Sequence, residues 1–243
     1  MSLVCRSPIF PTIFPVRKYA SLKKRSFDLS LYLVTERTCV KNENDFLYKA
    51  ERAIKGGVTC LQLRDRNENL QASIQTAHRL KKLMENSGVP LLINNRVDVA
   101  LAVNADGVHL GQKDFPYHEA RRLLGEKSII GITVETLDDV RAAEDLDIDY
   151  LGVQLFPSIN TKPNSPSWWG IDGIRKIKEI SRHRLVAIGG VTLDNLESIN
   201  TVLDLMKEKD GVAMVGQLWR SDDPYFFAEK VRAYLERNTN PKT

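Results

Sequence analysis

The chain has 243 residues, of which 42% are hydrophobic and 27% are charged, a composition typical of a folded globular protein. Its net charge of +4 comes from the first 27 residues, which hold six Lys or Arg and no acid; the remainder has 29 basic residues against 31 acidic ones. A nucleic-acid-binding domain would need the basic excess on its folded part. A membrane span would need about 18 consecutive apolar residues, and no run approaches that length. We therefore expect neither nucleic acid nor a membrane as a partner.

Residues 1–28 are predicted to be a basic N-terminal extension. Their Arg/Lys/Ser-rich composition resembles that of a transit peptide, whereas Pro8, Pro11 and Pro15 oppose the amphipathic helix such peptides form. The sequence leaves two interpretations open: a disordered extension on a cytoplasmic protein, or a mitochondrial or plastid address. The three cysteines have no CxxC spacing, which favours a reduced compartment.

After the extension, short apolar runs alternate with segments whose apolar residues recur at helical spacing. Runs of this kind indicate parallel strands covered on both faces, connected by helices. Eight such repeats predict a single-domain (β/α)₈ barrel over residues 29–238. The predicted strands are 31–35, 59–64, 90–94, 107–110, 129–133, 150–153, 185–189 and 211–215.

An open, doubly wound parallel sheet is the alternative fold. That fold places a glycine-rich phosphate-binding turn after its first strand. Here the first predicted strand is followed by ERTCVKNEN, which contains no glycine. The barrel is therefore the preferred prediction.

In (β/α)₈ barrels the active site is built where the strands end. Arg64 and Arg66 follow the second predicted strand, and Lys162 lies in the long loop after the sixth. We expect these three cations to converge at the barrel mouth. Guanidinium forks and an ammonium suit the oxygens of a diphosphate.

Glycines at the ends of the seventh and eighth strands, in AIGG and AMVG, suggest a second anion site. Gly190 and Gly216 would let backbone N–H groups approach a phosphate closely. A plain tight turn at the barrel rim is the simpler alternative.

Polar side chains at the ends of the third and fourth strands suggest a metal. Asn94, Asn95 and Asp114 offer oxygen ligands, and Mg²⁺ commonly uses one or two carboxylates together with substrate phosphates. Ordinary hydrogen-bonding roles at the rim remain the alternative.

The histidines give no sign of a poised catalyst. His109 lies inside a strand and is expected to be a packed, hydrogen-bonded residue, while His78, His118 and His183 are expected at the surface. Trp168 and Trp169 either cover a substrate ring or clamp the sixth loop onto the barrel.

Taken together, these residues resemble the thiamine phosphate synthase family, from about Leu31 to Leu235. The resemblance is carried by the segments LYLVTE, GGVTCLQLRDR, PLLINNRVDVALAVNADGVHLGQKD, LFPSINTK and AIGGV. It implies a transferase that joins a pyrimidine diphosphate to a thiazole phosphate, giving thiamine phosphate and diphosphate. Small-molecule substrates and Mg²⁺ follow from it, and a homo-oligomer is compatible with it.

By position, the resemblance implies a role for each matching residue. Arg64, Thr133 and Lys162 would take part in the reaction, and Asn95 and Asp114 would hold Mg²⁺. The implied substrate-binding residues are Gln62, Arg64, Arg66, Asn94, Thr133, Ser158, Asn160, Thr161, Lys162, Gly190, Val215 and Gly216.

Several of these positions depart from the family pattern. Asn95 stands where the family has Asp, Arg66 replaces Lys, Thr133 replaces Ser, Ser158 replaces Thr, and Gly216 replaces Ser. The loop sequence SINTK also replaces T-x-T-K, which leaves its register open. Two alternatives therefore stand beside an active synthase: a non-catalytic or weakened relative that binds thiazole phosphate or thiamine phosphate, and a thiazole tautomerase.

Overall fold

The computed structural model describes residues 27–65, 69–156, 168–203 and 210–237. Eight parallel strands follow one another in chain order around a closed barrel, with β1 pairing with β8 to complete the ring. This confirms the predicted (β/α)₈ fold and excludes the open sheet. The strands are β1 Leu31–Val34, β2 Cys60–Leu63, β3 Leu91–Asn94, β4 Gly107–Leu110, β5 Ile129–Val134, β6 Tyr150–Gln154, β7 Arg184–Ile188 and β8 Gly211–Met214.

Helices cover the outside of the barrel and end with a long helix after the eighth strand. They are α1 Glu43–Lys55, α2 Leu70–Leu83, α3 Val97–Val103, α4 Tyr117–Leu124, α5 Leu137–Ala143, α6 Gly170–Ile180, α7 Leu196–Asn200, α8 Gly216–Arg220 and α9 Pro224–Arg237.

Helix starts follow local sequence signals. The side chain of Asn42 accepts a hydrogen bond from the N–H of Asp45 at the start of α1, and Asn69 caps α2 in the same way. Thr136 and Asp139 form a reciprocal capping box at α5. Such caps satisfy backbone N–H groups that have no partner within the helix.

The apolar side chains on the two faces of the barrel wall form two separate clusters. Residues such as Leu31, Leu33 and Leu61 point outward and pack against the helices. Tyr32, Cys60, Leu92, Tyr150 and Val186 belong to a second buried cluster that fills the barrel. Because side chains of a strand alternate between faces, every strand except β4 contributes to both clusters.

A recurring side-chain contact joins the strands in pairs at their amino-terminal ends. The residue just before each even strand accepts a hydrogen bond from a backbone N–H near the start of the preceding odd strand. These contacts are Leu31 N–H to Thr59 at 3.0 Å, Leu91 to Asp106 at 2.9 Å, Ile130 to Asp149 at 2.8 Å and Leu185 to Asp210 at 2.8 Å. We call these contacts the strand-pair ties.

Phe27 and Asp28, at the end of the predicted extension, contact the same end of the barrel. The Arg184 guanidinium donates two hydrogen bonds of 3.1 Å to the Phe27 carbonyl and lies over its ring. Asp28 accepts a hydrogen bond from the N–H of Ser30 and pairs with Arg232 of α9. Residues 1–26 lie outside the described part of the chain.

Candidate active site

A cavity of about 530 Å³ opens at the carboxyl ends of the strands. Its floor lies inside the barrel, where Tyr32, Tyr150, Val186 and Ala213 are buried. Towards the mouth the inward-pointing residues become polar. An apolar floor below convergent polar groups is typical of a site for a small molecule.

Seven of the residues predicted from the sequence line this cavity, although they come from several strand ends. They are Gln62, Arg64, Asn94, Asn95, Asp114, Thr133 and Val215. Gly190 and Gly216 do not line it; the cavity wall is formed by the preceding residues, Gly189 and Val215. The predicted residues Arg66, Ser158, Asn160, Thr161 and Lys162 lie outside the described residues. Of the three cations expected to converge at the barrel mouth, only Arg64 is among the described residues, and it lines the cavity.

Arg64 is held at the mouth by contacts on both its backbone and its side chain. Its N–H donates to the Thr35 hydroxyl at 2.8 Å, and that hydroxyl donates to the Arg64 carbonyl. The guanidinium lies 3.6 Å from the carboxylate of Glu36, which is buried. Arg64 lines the cavity and also the neighbouring pocket that Glu36 lines, so it stands between the two.

His109 is packed and hydrogen-bonded, in line with the sequence interpretation, and it also lines the cavity. Its Nδ1 lies 2.9 Å from the Tyr150 hydroxyl and its Nε2 lies 2.8 Å from Oγ1 of Thr133. Gln112 donates to the Thr133 carbonyl at 2.6 Å. Thr133 is therefore positioned through both its side chain and its backbone.

Tyr32 and Tyr150 are site residues that sequence reasoning missed. Their hydroxyls lie 2.8 Å apart, and the Gln62 amide donates to Tyr32 at 2.8 Å. Burial raises the pKa of each tyrosine well above its ordinary value. Both phenols are therefore neutral hydroxyls that can donate and accept. One sequence signal was available: side chains two positions apart in a strand share a face, so Tyr32 and Tyr150 fall on the same faces as Val34 and Gly152, which line the cavity.

Asn95 and Asp114 face the cavity with two kinds of oxygen. Asn95 has a left-handed backbone with φ of 64°, a conformation that asparagine tolerates better than most residues, and its N–H donates to the His109 carbonyl at 2.9 Å. Oδ2 of Asp114 accepts from the N–H of Gly111 at 2.6 Å. Among the described residues no group of three His, Cys, Asp or Glu side chains is placed to hold a metal. One carboxylate and one amide oxygen still fit Mg²⁺ that draws its other ligands from water and phosphate.

The ends of β7 and β8 expose backbone beside the cavity. Gly189 and Gly190 have φ values of 87° and 69°, so glycine is required for this turn. A β-carbon on Gly190 would lie 3.0 Å from the Phe156 side chain. At the start of α8, the guanidinium of Arg220 occupies the space that a side chain on Gly216 would need, with Nη2 2.2 Å from the position of a β-carbon.

The two tryptophans at the end of the sixth loop have different environments. Nε1 of Trp169 donates to the Val134 carbonyl at 3.1 Å, and the side chain packs beside Gly173. Trp168 is 55% exposed. Since neither is among the described residues that line the cavity, the structure favours the clamping role for Trp169.

Comparison with known proteins identifies the family of the chain. The sequence matches the profile described as thiamine monophosphate synthase over residues 31–218. The chain is 40% identical over 208 residues to the thiamine-phosphate synthase of Albidiferax ferrireducens, covering 86% of this chain and 92% of the relative. The chain belongs to the thiamine monophosphate synthase family.

Other members of the thiamine monophosphate synthase family match along nearly their whole length. The thiamine-phosphate synthase of Syntrophomonas wolfei is 38% identical over 211 residues, covering 87% of this chain and 98% of the relative. A solved structure, the thiamine phosphate pyrophosphorylase from Pyrococcus furiosus, superposes with a TM-score of 0.75 at 30% identity, covering 87% of this chain and 98% of that one. The family resemblance inferred from the sequence is thus confirmed.

Within the described ranges, no helix has the length and apolar character needed to cross a bilayer.

Proposed function

We propose that the chain is a thiamine phosphate synthase, which joins a hydroxymethylpyrimidine diphosphate to a hydroxyethylthiazole phosphate and releases diphosphate. The observation that carries the proposal is the meeting of Gln62, Arg64, Asn94 and Thr133 in one cavity of a barrel that belongs to the family. The relatives from Albidiferax ferrireducens and Syntrophomonas wolfei are both named thiamine-phosphate synthase.

The reaction breaks the bond between the pyrimidine methylene carbon and the diphosphate oxygen, and the diphosphate leaves with the electron pair. The thiazole nitrogen then donates its lone pair to the methylene carbon. That nitrogen carries no proton, so no general base is required. The protein must stabilise the departing negative charge and hold the two rings in line.

Arg64 supports the first task because it lines the cavity, and its guanidinium can donate to diphosphate oxygens. Lys162 and Arg66 are further cationic candidates by their sequence positions. Asn95 and Asp114 would hold Mg²⁺, which would neutralise part of the diphosphate charge. Gln62, Asn94 and Thr133 would hold the pyrimidine over the buried floor of the cavity.

The thiazole phosphate is proposed to bind at the ends of β7 and β8. Gly189 and Val215 line that side of the cavity, and the neighbouring Gly190 is exposed, whereas the Arg220 guanidinium lies beside Gly216. Backbone N–H groups at such a turn attract phosphate oxygens. Ser158, Asn160 and Thr161 are assigned to the thiazole side by their sequence positions.

The direct test supplies both substrates with a Mg²⁺ titration and measures thiamine phosphate and diphosphate, which must form in equal amounts. Arg64→Gln should lower kcat/KM at least a hundredfold, whereas Arg122→Gln, a change at an exposed arginine of α4, should leave it unchanged. Absence of product at every Mg²⁺ concentration would refute the proposal. Binding of thiazole phosphate without turnover would then identify a binding protein, and interconversion of thiazole tautomers would identify a tautomerase.

A further inference from the structure

Five side chains form one continuous hydrogen-bonded chain across the floor of the cavity. The sequence of contacts is Gln62 Nε2 to Tyr32 Oη at 2.8 Å, Tyr32 Oη to Tyr150 Oη at 2.8 Å, Tyr150 Oη to His109 Nδ1 at 2.9 Å, and His109 Nε2 to Thr133 Oγ1 at 2.8 Å. We call this set the floor chain. Its two ends, Gln62 and Thr133, are among the residues proposed above to hold the pyrimidine.

The number of protons limits how the floor chain can be arranged. Each hydroxyl has one proton, and a neutral imidazole has one proton on its ring nitrogens. A hydroxyl can accept two hydrogen bonds as well as donate one, but two arrangements of the floor chain run in one direction from end to end. Each of these two polarities couples the Gln62 amide to the Thr133 hydroxyl through His109.

The Gln62 contact is the starting point for one of these two directions. Gln62 donates through its amide nitrogen to Tyr32, so its carbonyl oxygen is the atom it can present to a ligand. In this direction Tyr32 donates to Tyr150 and Tyr150 donates to Nδ1 of His109, two contacts whose lengths suit either atom as donor. The imidazole then carries its proton on Nε2 and donates to Thr133, which leaves the proton of the Thr133 hydroxyl for a ligand.

We propose that Tyr32, Tyr150 and His109 are positioning residues that fix this polarity, so that Gln62 accepts and Thr133 donates toward the substrate ring. The proposal rests on the proposed function, which supplies a pyrimidine with an amino group and ring nitrogens. The amino group is a donor for Gln62 and a ring nitrogen is an acceptor for Thr133. A ring with an oxo group in place of the amino group has the opposite pattern and leaves the Gln62 oxygen without a donor.

The barrel makes room for the floor chain at two glycines. A β-carbon on Gly131 would lie 2.0 Å from Cζ of Tyr150, and one on Gly152 would lie 2.8 Å from Cε1 of His109. Tyr32 and Tyr150 also meet edge to face, with ring centroids 5.8 Å apart. Because the two phenols are buried, their hydroxyls take hydrogen-bond partners from the protein rather than from water.

The first experiment measures the His109 tautomer by nitrogen NMR on protein with labelled histidine at pH 7.5. The His109→Gln variant assigns the signal, since it removes one histidine of the four in the chain. A neutral imidazole protonated on Nε2 is expected. Protonation on Nδ1, or on both nitrogens, would overturn the proposal whatever the enzyme's activity.

The second experiment measures steady-state kinetics for Tyr150→Phe and Tyr32→Phe, which each remove one hydroxyl of the floor chain without changing ring volume. KM for the pyrimidine diphosphate should rise about tenfold, as expected for loss of roughly one oriented hydrogen bond, while KM for the thiazole phosphate stays constant. Tyr117→Phe is the matched control, because its hydroxyl donates to the Asp147 carbonyl outside the cavity.

Thr133→Ser should keep the wild-type KM and Thr133→Val should raise it, because serine retains the donor. Equal changes in both substrates' KM values, or none in either tyrosine variant, would overturn the positioning role. If the wild-type chain makes no product, the proposed function fails, and the tautomer measurement alone decides the polarity of the floor chain.

Discussion

A β-carbon on Gly131 would lie 2.0 Å from Cζ of Tyr150, so the glycine of β5 is what allows the tyrosine of β6 to lie across the barrel. The two residues are direct neighbours in the sheet register. The glycine within the apolar run IIGIT therefore helps to set the shape of the cavity floor, because it leaves space for the Tyr150 ring.

Gly131→Ala is therefore expected to lower the free energy of unfolding by about 2–3 kcal/mol, because the tightly packed barrel must move to admit a methyl group. Urea denaturation measures the change. The control is the same substitution in a Tyr150→Leu background, where the ring atoms that would be struck are absent. An equal loss of stability in both backgrounds would contradict the proposed clash.

Arg121 is expected to be a major contributor to stability. Its guanidinium is buried and donates to the carbonyls of Gly125, Ser128 and Asp147 at distances of 3.0, 2.7 and 2.8 Å. Arg121→Leu removes these three hydrogen bonds, although the Gly125 and Asp147 carbonyls also accept from the Ser128 N–H and the Tyr117 hydroxyl, and it should cost about 2–4 kcal/mol.

The neighbouring Arg122 offers a matched comparison for Arg121. Its side chain is 68% exposed and pairs with Glu119. Arg122→Leu should change the free energy of unfolding by no more than about 0.5 kcal/mol. Chemical denaturation of both variants tests the pair, and similar losses would show that the buried carbonyl contacts of Arg121 are unimportant.

Asn95→Asp tests the proposed Mg²⁺ site. Adding a negative charge beside Asp114 should lower the Mg²⁺ concentration for half-maximal activity about tenfold, equivalent to roughly 1.4 kcal/mol of added attraction. Asp114→Asn should raise that concentration. Asp98→Asn serves as the control, because the Asp98 carboxylate is engaged by Arg96, which lowers its pKa. An unchanged Mg²⁺ dependence in both site variants would remove these residues from the metal site.

Cys60 and Cys39 should differ sharply towards an alkylating reagent at pH 8. Burial raises the pKa of the Cys60 thiol far above this pH, so the reactive thiolate is suppressed and the sulfur is shielded. Cys39 is partly exposed. Peptide mass analysis should find Cys39 modified in the native protein and Cys60 modified after unfolding. Comparable rates in the native protein would disprove the prediction.

The strands were predictable because their signal is local. Each predicted run matches its observed strand to within one residue at each end. Short apolar runs bounded by segments of helical spacing allow little choice in where a strand begins and ends. The site positions Gln62 and Thr133 could be inferred from the family resemblance. Tyr32 and Tyr150 could not be separated from core residues, because a tyrosine in an apolar run looks the same whether or not its hydroxyl reaches a cavity.

The prediction for His183 was wrong, whereas His78 and His118 are exposed as expected. His183 is buried, and its Nε2 lies 3.0 Å from the Ala143 carbonyl of α5. The polar sequence before β7 suggested a surface loop. The contacts of His183 with Ala143 and Glu144 at the end of α5 are tertiary contacts that the neighbouring sequence does not encode.

The strand-pair ties have a consequence for the order of folding. Each tie joins residues only 15 to 28 positions apart along the chain. The β1–β8 pairing, by contrast, joins opposite ends of the barrel sequence, and bringing distant segments together costs more entropy and time. A growing chain can therefore complete each tie soon after its second strand emerges, and ring closure is left as the late, slow step.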